Sequence, residues 1–330
     1  MISTVLTEFP NTSLAVHEII STEIVESLLK YLGSLTGSDY HANTRSAFPG
    51  PNPVSMDTGD FGKLRAQPYF IAEKTDGVRA LCLVCTIDAI DIAVLLDRTV
   101  SRAYIFPVKH MPRALFQGTL FDGELIYDTL DGVWNYIIFD ALCVSGVPVF
   151  HFPFSRRMHA VETSLTAYVY DPAYDAGQLR LKCFIPLHCP DVLNAFETHE
   201  ERMKQRHSVD GVVFMPELDR VVFGRHDNLL KIKSVHSVDF LCGKKGEKLL
   251  IYDEKNKRHR QFGTPTEGTK HLASEGAIVE CILPTLDNPH VWEIIKVRKD
   301  KDKANNRFTL DKTMLNMQEQ LTLEKVLTKI

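Results

Sequence analysis

Apolar positions in this chain form short runs separated by glycine, proline and charge, and the spacing within the runs changes along the sequence. Val16, Ile19, Ile20, Ile24, Leu28 and Leu29 recur at helical intervals, interrupted at Ser21 and Thr22, which predicts one or two amphipathic helices over 16–31. Residues 33–60 are dense in Gly, Pro, Ser and Asn, the composition of a draped loop or linker. Strand-length runs follow at 69–72, 80–85, 92–96, 104–106, 119–121, 125–127 and 134–139, with turn residues between them. Helical spacing returns over 155–167 and 192–206, and strand character at 179–185, 212–215 and 229–232. The first two thirds therefore read as α+β with antiparallel sheets and flanking helices.

Beyond Val238 the runs at 240–242, 248–252, 278–283 and 291–297 are separated by glycine-rich turns and predict a small β-barrel. Leu310, Met314, Met317, Leu321 and Val326 then predict a closing helix over 309–327. The expected organisation is a domain at 1–237, a barrel at 238–308, and a helix at 309–330 that packs back on the first domain. No internal repeat or low-complexity tract interrupts this pattern.

Composition narrows the class. The 330 residues are 44% hydrophobic and 24% charged, ordinary globular values that fit two domains better than one. No apolar run approaches the roughly 20 residues of a spanning helix, and the start lacks the basic, then apolar, pattern of a signal peptide, so a soluble intracellular protein without membrane contact is expected. Seven irregularly spaced cysteines fit reduced thiols. Cys82 and Cys85 form a C-x-x-C within a strand-like run, where residues three apart point to opposite faces and cannot chelate together. His188-Cys189 has no second pair at zinc spacing, and without a secretory signal the sequon at Asn11 is taken as chance. The net charge of −4 is uneven: 239–307 holds 14 Lys or Arg against 11 Asp or Glu, a local +3 that leaves −7 elsewhere. A polyanion meeting the C-terminal part would suit this distribution, as would a solvated charged face.

The candidate chemistry starts at Glu73-Lys74-Thr75-Asp76-Gly77-Val78-Arg79, which sets a lysine and an arginine around a carboxylate at a glycine turn. Such a lysine can act as a nucleophile toward phosphate, although a solvated turn between strands has the same composition. Asp122-Gly123-Glu124 and Asp210-Gly211 place further carboxylates at strand ends, and Lys231 and Lys233 share one face of a strand across Ile232. Arg298-Lys299-Asp300-Lys301-Asp302-Lys303 is a charge run that a solvated turn would also explain.

Together these segments carry a resemblance. EKTDGVR at 73–79, LFDGEL at 120–125, YIIFDAL at 136–142, VDGVVF at 209–214, LLKIK at 229–233 and RKDKDKAN at 298–305 are similar, in order, to the six signature motifs of covalent nucleotidyltransferases. More narrowly they resemble the GTP-dependent mRNA guanylyltransferases, the RNA capping enzymes. FPGPNPVSMD at 48–57 looks like the loop before the nucleophile strand in capping enzymes, and the late motif ends in asparagine; both separate the family from ATP-dependent polynucleotide ligases. The chain departs from the family pattern at Ile232, where an aromatic is usual, and at Ala304, where proline is usual.

The resemblance implies a nucleotidyltransferase domain followed by an OB-fold lid. It implies that Lys74 attacks the α-phosphate of GTP, releases pyrophosphate, and passes GMP from a Lys-GMP adduct to the 5′-diphosphate end of RNA. A lysine attacks only as the free amine, which neighbouring cations favour, and Arg79, Lys231 and Lys233 are the candidates. Mg²⁺ or Mn²⁺ is implied as cofactor, with Glu124 and Asp210 as oxygen donors and Glu124 also a candidate for the ribose. Arg79 and Arg98 match arginines that hold ribose and phosphates, Phe139 the aromatic that stacks on guanine, and Lys182 a donor to guanine, whose O6 is an acceptor. Arg298, Asp300 and Lys301 would reach the outer phosphates on lid closure, with Asp239 in support. No Cys-x5-Arg phosphatase loop occurs, so an RNA triphosphatase on another protein or chain is expected, together with the RNA polymerase II C-terminal tail as partner and a nuclear location, viral origin being possible. A polynucleotide ligase and a catalytically silent RNA- or polymerase-binding scaffold are the rival readings; the second would have lost the nucleophile or the lysine pair, and both are present.

Overall fold

The computed structural model describes residues 2–299 and 301–330. The chain divides into two compact units: residues 1–54 with 63–231, and residues 55–62 with 232–330. The expected division differs from this one: the first unit ends at 231 and not 237, residues 55–62 of the early loop belong to the second unit, and 309–330 is part of that unit.

The first unit is built on a nine-stranded sheet and a five-stranded sheet. In the larger sheet, Val78–Ile87 lies between Ile90–Leu96 and Thr119–Asp128, antiparallel to both, and Thr119–Asp128 pairs in turn with Val133–Val144. Period-2 alternation along Val78–Ile87 feeds two cores: Ala80, Cys82 and Val84 join one cluster, Leu81, Leu83 and Cys85 the other. Cys82 and Cys85 thus sit on opposite faces, and burial pushes each thiol up to about 12.

Helix Thr22–Thr36 covers the second core with Val25, Leu28, Leu29 and Leu32, each worth about 1.5–3 kcal/mol on full burial. It begins where the Ser21 hydroxyl accepts from the Ile24 amide and ends at Gly37 in the left-handed conformation. The helical reading of 16–20 is corrected: Ala15–Ile19 is a strand paired with Thr4–Glu8, with Val16 and Ile19 buried. Tertiary pairing of β-branched residues overrides their apparent helical spacing here.

The smaller sheet runs Ile185–Pro186, Tyr69–Thr75, Val209–Pro216, Gly224–Lys233, Pro51–Ser55. The expected draped loop therefore contributes an edge strand. Helices Phe154–Ser164 and Val192–Lys204 flank the sheets.

The second unit is a closed five-stranded barrel of order Ser237–Cys242, Leu249–Asp253, Arg258–Pro265, Val291–Val297, Ile278–Ile282. Phe240, Trp292, Val279 and Cys281 fill it. The closing helix is two helices, Arg307–Glu319 and Leu323–Leu327, broken at Gln320, which has φ of 46°. Within the second unit Leu310 of this segment enters the barrel core and Met314 and Met317 pack against it. Residues 55–62 complete that packing: Asn316 donates to the Met56 carbonyl, Lys312 pairs with Asp57, and Glu319 accepts from the Thr58 amide at 3.0 Å. Among the described residues no helix is long and apolar enough to cross a membrane.

Candidate active site

Strand Tyr69–Thr75 delivers the motif. Alternation places Glu73 and Thr75 on a buried face and Lys74 on the other. Its partner Val209–Pro216 is regular from Val212, opposite Glu73, but bulged between Val209 and Val212, so Asp210 and Gly211 lie in the irregular step. Gly211 takes φ of 127°, a conformation that favours glycine. A bulge of this kind re-aims a side chain. The Asp210 carboxylate here lies 3.0 Å from Lys74 Nζ, and both side chains are 21% exposed, open enough for a substrate to reach.

The opposite face holds a buried network. Glu73 Oε1 is 3.0 Å from Lys182 Nζ, and Glu73 Oε2 is 2.9 Å from His199 Nε2. Burial works to raise the Glu73 carboxyl, but the His199 hydrogen bond and the Lys182 charge outweigh it and hold the group below the usual carboxylate range. Lys182 also donates to Thr75 Oγ1 at 3.3 Å, and Thr75 donates to Glu124. The other Glu124 oxygen accepts from the Gly77 amide at 3.1 Å. A Cβ on Gly77 would stand 2.4 Å from the Leu125 carbonyl, so only glycine permits this turn to close on Glu124.

Arg79 is fixed from several sides. It forms a two-pronged pair with buried Asp122, with Nε 2.8 Å from Oδ1, and donates to the Pro51 carbonyl at 2.8 Å. Its guanidinium lies 4.7 Å from the Phe48 ring centroid and 5.4 Å from that of Phe139. Burial would lower it, but Asp122 more than compensates and keeps it charged. Arg98 donates to Asn52 Oδ1 at 3.2 Å, and burial and the Arg79 charge pull it down. Phe139 is half-buried and belongs to neither core cluster, which sets it apart from a core phenylalanine.

Of the cations expected around Lys74, Arg79 is engaged by Asp122, and Asp210 stands at ion-pair distance from Lys74 itself. Lys231 and Lys233 are half-exposed on either side of buried Ile232, as their alternation predicts, with the division between units falling after Lys231.

In the second unit, buried Asp239 gathers the cations of the late motif. Arg298 Nη1 lies 3.1 Å from Asp239 Oδ1 and 3.3 Å from Glu280 Oε2, and Lys301 pairs with Asp239 Oδ2. Asp300 lies outside the described residues.

Sequence reasoning missed His199, Asp122, Glu73, Asn52 and Phe48 as parts of the site. Glu73 and Asp122 stood inside recognised motifs, whereas nothing local distinguishes His199 on its helix. For a divalent ion, Asp210 offers a hard oxygen donor beside Lys74, the kind Mg²⁺ shares with substrate phosphates. Glu124 offers the same chemistry with both oxygens accepting hydrogen bonds. Among the described residues no larger group of His, Cys, Asp and Glu gathers at metal-binding distance. The donor set fits an ion that takes one or two carboxylates and completes its shell with phosphate oxygens and water.

The chain is similar to known proteins along most of its length. The sequence profile described as "mRNA capping enzyme, catalytic domain" matches residues 15–235, and "mRNA capping enzyme, C-terminal domain" matches 224–327. An mRNA-capping enzyme of Danio rerio is 30% identical over 308 residues, covering 86% of this chain and 49% of the relative. An mRNA-capping enzyme subunit alpha of Neurospora crassa is 23% identical over 359 residues, 85% of this chain and 84% of its own. The chain thus spans about half the length of the Danio relative. Among solved structures, a mycobacterial DNA ligase D complexed with ATP and MES covers 76% of this chain and 95% of its own at 14% identity, with a TM-score of 0.45.

Proposed function

Because the chain belongs to the mRNA capping enzyme family, we propose that it is a guanylyltransferase that carries GMP on Lys74. The observation that supports this most is the placement of Lys74 itself. It is a partly exposed amine on a strand whose other face is locked by Glu73, with Asp210 3.0 Å away. Locking the strand fixes the direction of the nucleophile, which favours in-line attack.

In this reading Lys74 Nζ attacks the α-phosphorus of GTP. The bond from that phosphorus to the bridging oxygen breaks, pyrophosphate leaves, and the amine's proton passes to solvent. The β-phosphate oxygen of a 5′-diphosphate RNA then displaces Lys74 from phosphorus while the leaving nitrogen takes up a proton from solvent, giving the GpppN end and restoring the amine. Phe139 offers a face to guanine, with Arg79 held by Asp122 behind it. Lys182 is the candidate guanine donor, held by Glu73 and Thr75. Arg98 and Lys231 in the first unit supply positive charge for ribose and phosphates, and the second unit carries further cations at Lys233, Arg298 and Lys301. Mg²⁺ or Mn²⁺, held by Asp210 with Glu124 as a further donor, would neutralise phosphate charge when bound.

The same reading takes RNA as acceptor, a separate triphosphatase as supplier of the 5′-diphosphate end, the RNA polymerase II tail as docking partner, and the nucleus as location. The deciding measurement incubates the chain with α-labelled GTP or ATP and Mg²⁺ without RNA. Acid-labile covalent label from GTP is expected; label from ATP alone makes it a polynucleotide-ligase-type adenylyl carrier, and no label from either makes it a silent scaffold.

A further inference from the structure

Part of the positive excess over 239–307 falls on one hairpin of the barrel, where 253–260 holds four Lys or Arg against two Asp or Glu. Strands Leu249–Asp253 and Arg258–Pro265 form a hairpin whose tip reads Lys255-Asn256-Lys257-Arg258-His259-Arg260, exposed throughout. The tip is well built. Asp253 accepts from the Asn256 amide at 3.1 Å and its side chain at 2.8 Å, and Lys257 takes φ of 50°.

Two carboxylates stand beside the tip, half-buried Asp253 and exposed Glu254. Asp253 also pairs with Arg260 at 2.7 Å, and Glu254 accepts from Asn306 at 2.7 Å. Among the described residues no carboxylate engages Lys255, Lys257 or Arg258. Lys255, Lys257 and Arg258 thus stand exposed on the turn with Glu254 the one acidic side chain beside them that is not paired with Arg260, a net positive footprint for a polyanion. The hairpin also presents rings: Tyr252 and His259 meet edge to face at 5.4 Å. Aromatic faces beside backbone-tracking cations are what a single strand of nucleic acid uses, and an acidic peptide has no need of them. Second and third strands of small five-stranded barrels are a common surface for such binding.

We propose that this hairpin docks the phosphodiester backbone of single-stranded RNA, with Lys255, Lys257 and Arg258 as phosphate contacts. The proposal rests on the reading of RNA as acceptor and adds a binding surface apart from the nucleotide site.

The test compares the full chain with Lys255→Glu/Lys257→Glu/Arg258→Glu, and with the neutral Lys255→Gln/Lys257→Gln/Arg258→Gln in case charge reversal unfolds the barrel. Fluorescence anisotropy of a labelled 5′-diphosphate RNA of about 20 nucleotides reads binding across salt concentrations. The expected loss at ~0.1 M salt is on the order of tenfold or more, and the slope of log K against log salt should fall by about 2, since each single-strand phosphate contact contributes about 0.7. GMP charging from GTP without RNA should match wild type, so failure of the nucleotidyl-transfer reading would show there and not in the anisotropy. Unchanged affinity and slope in both variants overturns the proposal. So does loss of binding to a phosphoserine peptide with RNA binding retained, which would assign the surface to an acidic protein segment.

Discussion

Lys182 Nζ lies 3.0 Å from Glu73 Oε1, so the residue before the candidate nucleophile is tied to the residue expected to recognise guanine. Both side chains are nearly inaccessible, at 5% and 4% exposure. Removing one buried partner strands the other charge, which typically costs 3–5 kcal/mol. Glu73→Gln should therefore destabilise the first unit by about 3 kcal/mol at neutral pH. The pH dependence follows from the depressed carboxyl. Its contribution is complete above the unfolded value of about 4.3 and is lost as pH falls through the lower folded value. The wild-type minus Glu73→Gln difference, measured by urea unfolding from pH 3 to 7, should shrink below about pH 4.3. A difference that stays constant with pH would contradict an ionised, stabilised Glu73.

Lys74→Ala should abolish the covalent GMP adduct while leaving the melting temperature within a few degrees of wild type. The side chain is partly exposed and lies outside both core clusters, so little packing is lost. Persistent label in this variant, read on a denaturing gel, would place the nucleophile elsewhere.

Phe139→Ala separates a binding face from a packing role. A half-buried ring outside both clusters should cost about 1 kcal/mol or less in stability, against about 3–5 for a core phenylalanine. The KM for GTP in adduct formation should rise about tenfold, as expected for the loss of an aromatic contact worth about 1–1.5 kcal/mol. A stability loss in the core range with unchanged KM would return the ring to the core.

Gly50→Ala tests the Arg79 cradle from behind. A Cβ there would sit 2.5 Å from Arg79 Nη2 and 2.7 Å from Asp122 Oδ2, inside van der Waals contact with a pair that has no slack. The variant should lose about 1–3 kcal/mol of stability and use GTP less well. Wild-type melting and kinetics together would mean that the loop carrying Phe48 and Gly50 moves aside freely.

How much of this was legible depended on range. The α+β unit, the barrel and the strand carrying Lys74 follow from period-2 runs and turn residues, which are local signals. The face shared by Lys231 and Lys233 follows from the same alternation. Partners brought together by folding were not legible. His199 reaches Glu73 across 126 positions, and Asp122 reaches Arg79 across 43. Neither pairing leaves a mark in the spacing of its own segment. Strand Ala15–Ile19 was misread because Val16 and Ile19 also stand at a helical interval, and only pairing with Thr4–Glu8 on one side and Tyr104–Ile105 on the other decides between the readings.

The segment 55–62 gives the second unit an unusual birth. Asn316 and Met56, which bond within that unit, are 260 positions apart. At ribosomal rates of about 5–20 residues per second, Met56 emerges on the order of ten to fifty seconds before its partner exists. During that interval a short piece of the barrel's packing travels with a first unit that is still being synthesised. The second unit can close only after residues 307–319 have left the ribosome, so its assembly waits on a segment made long after residue 56.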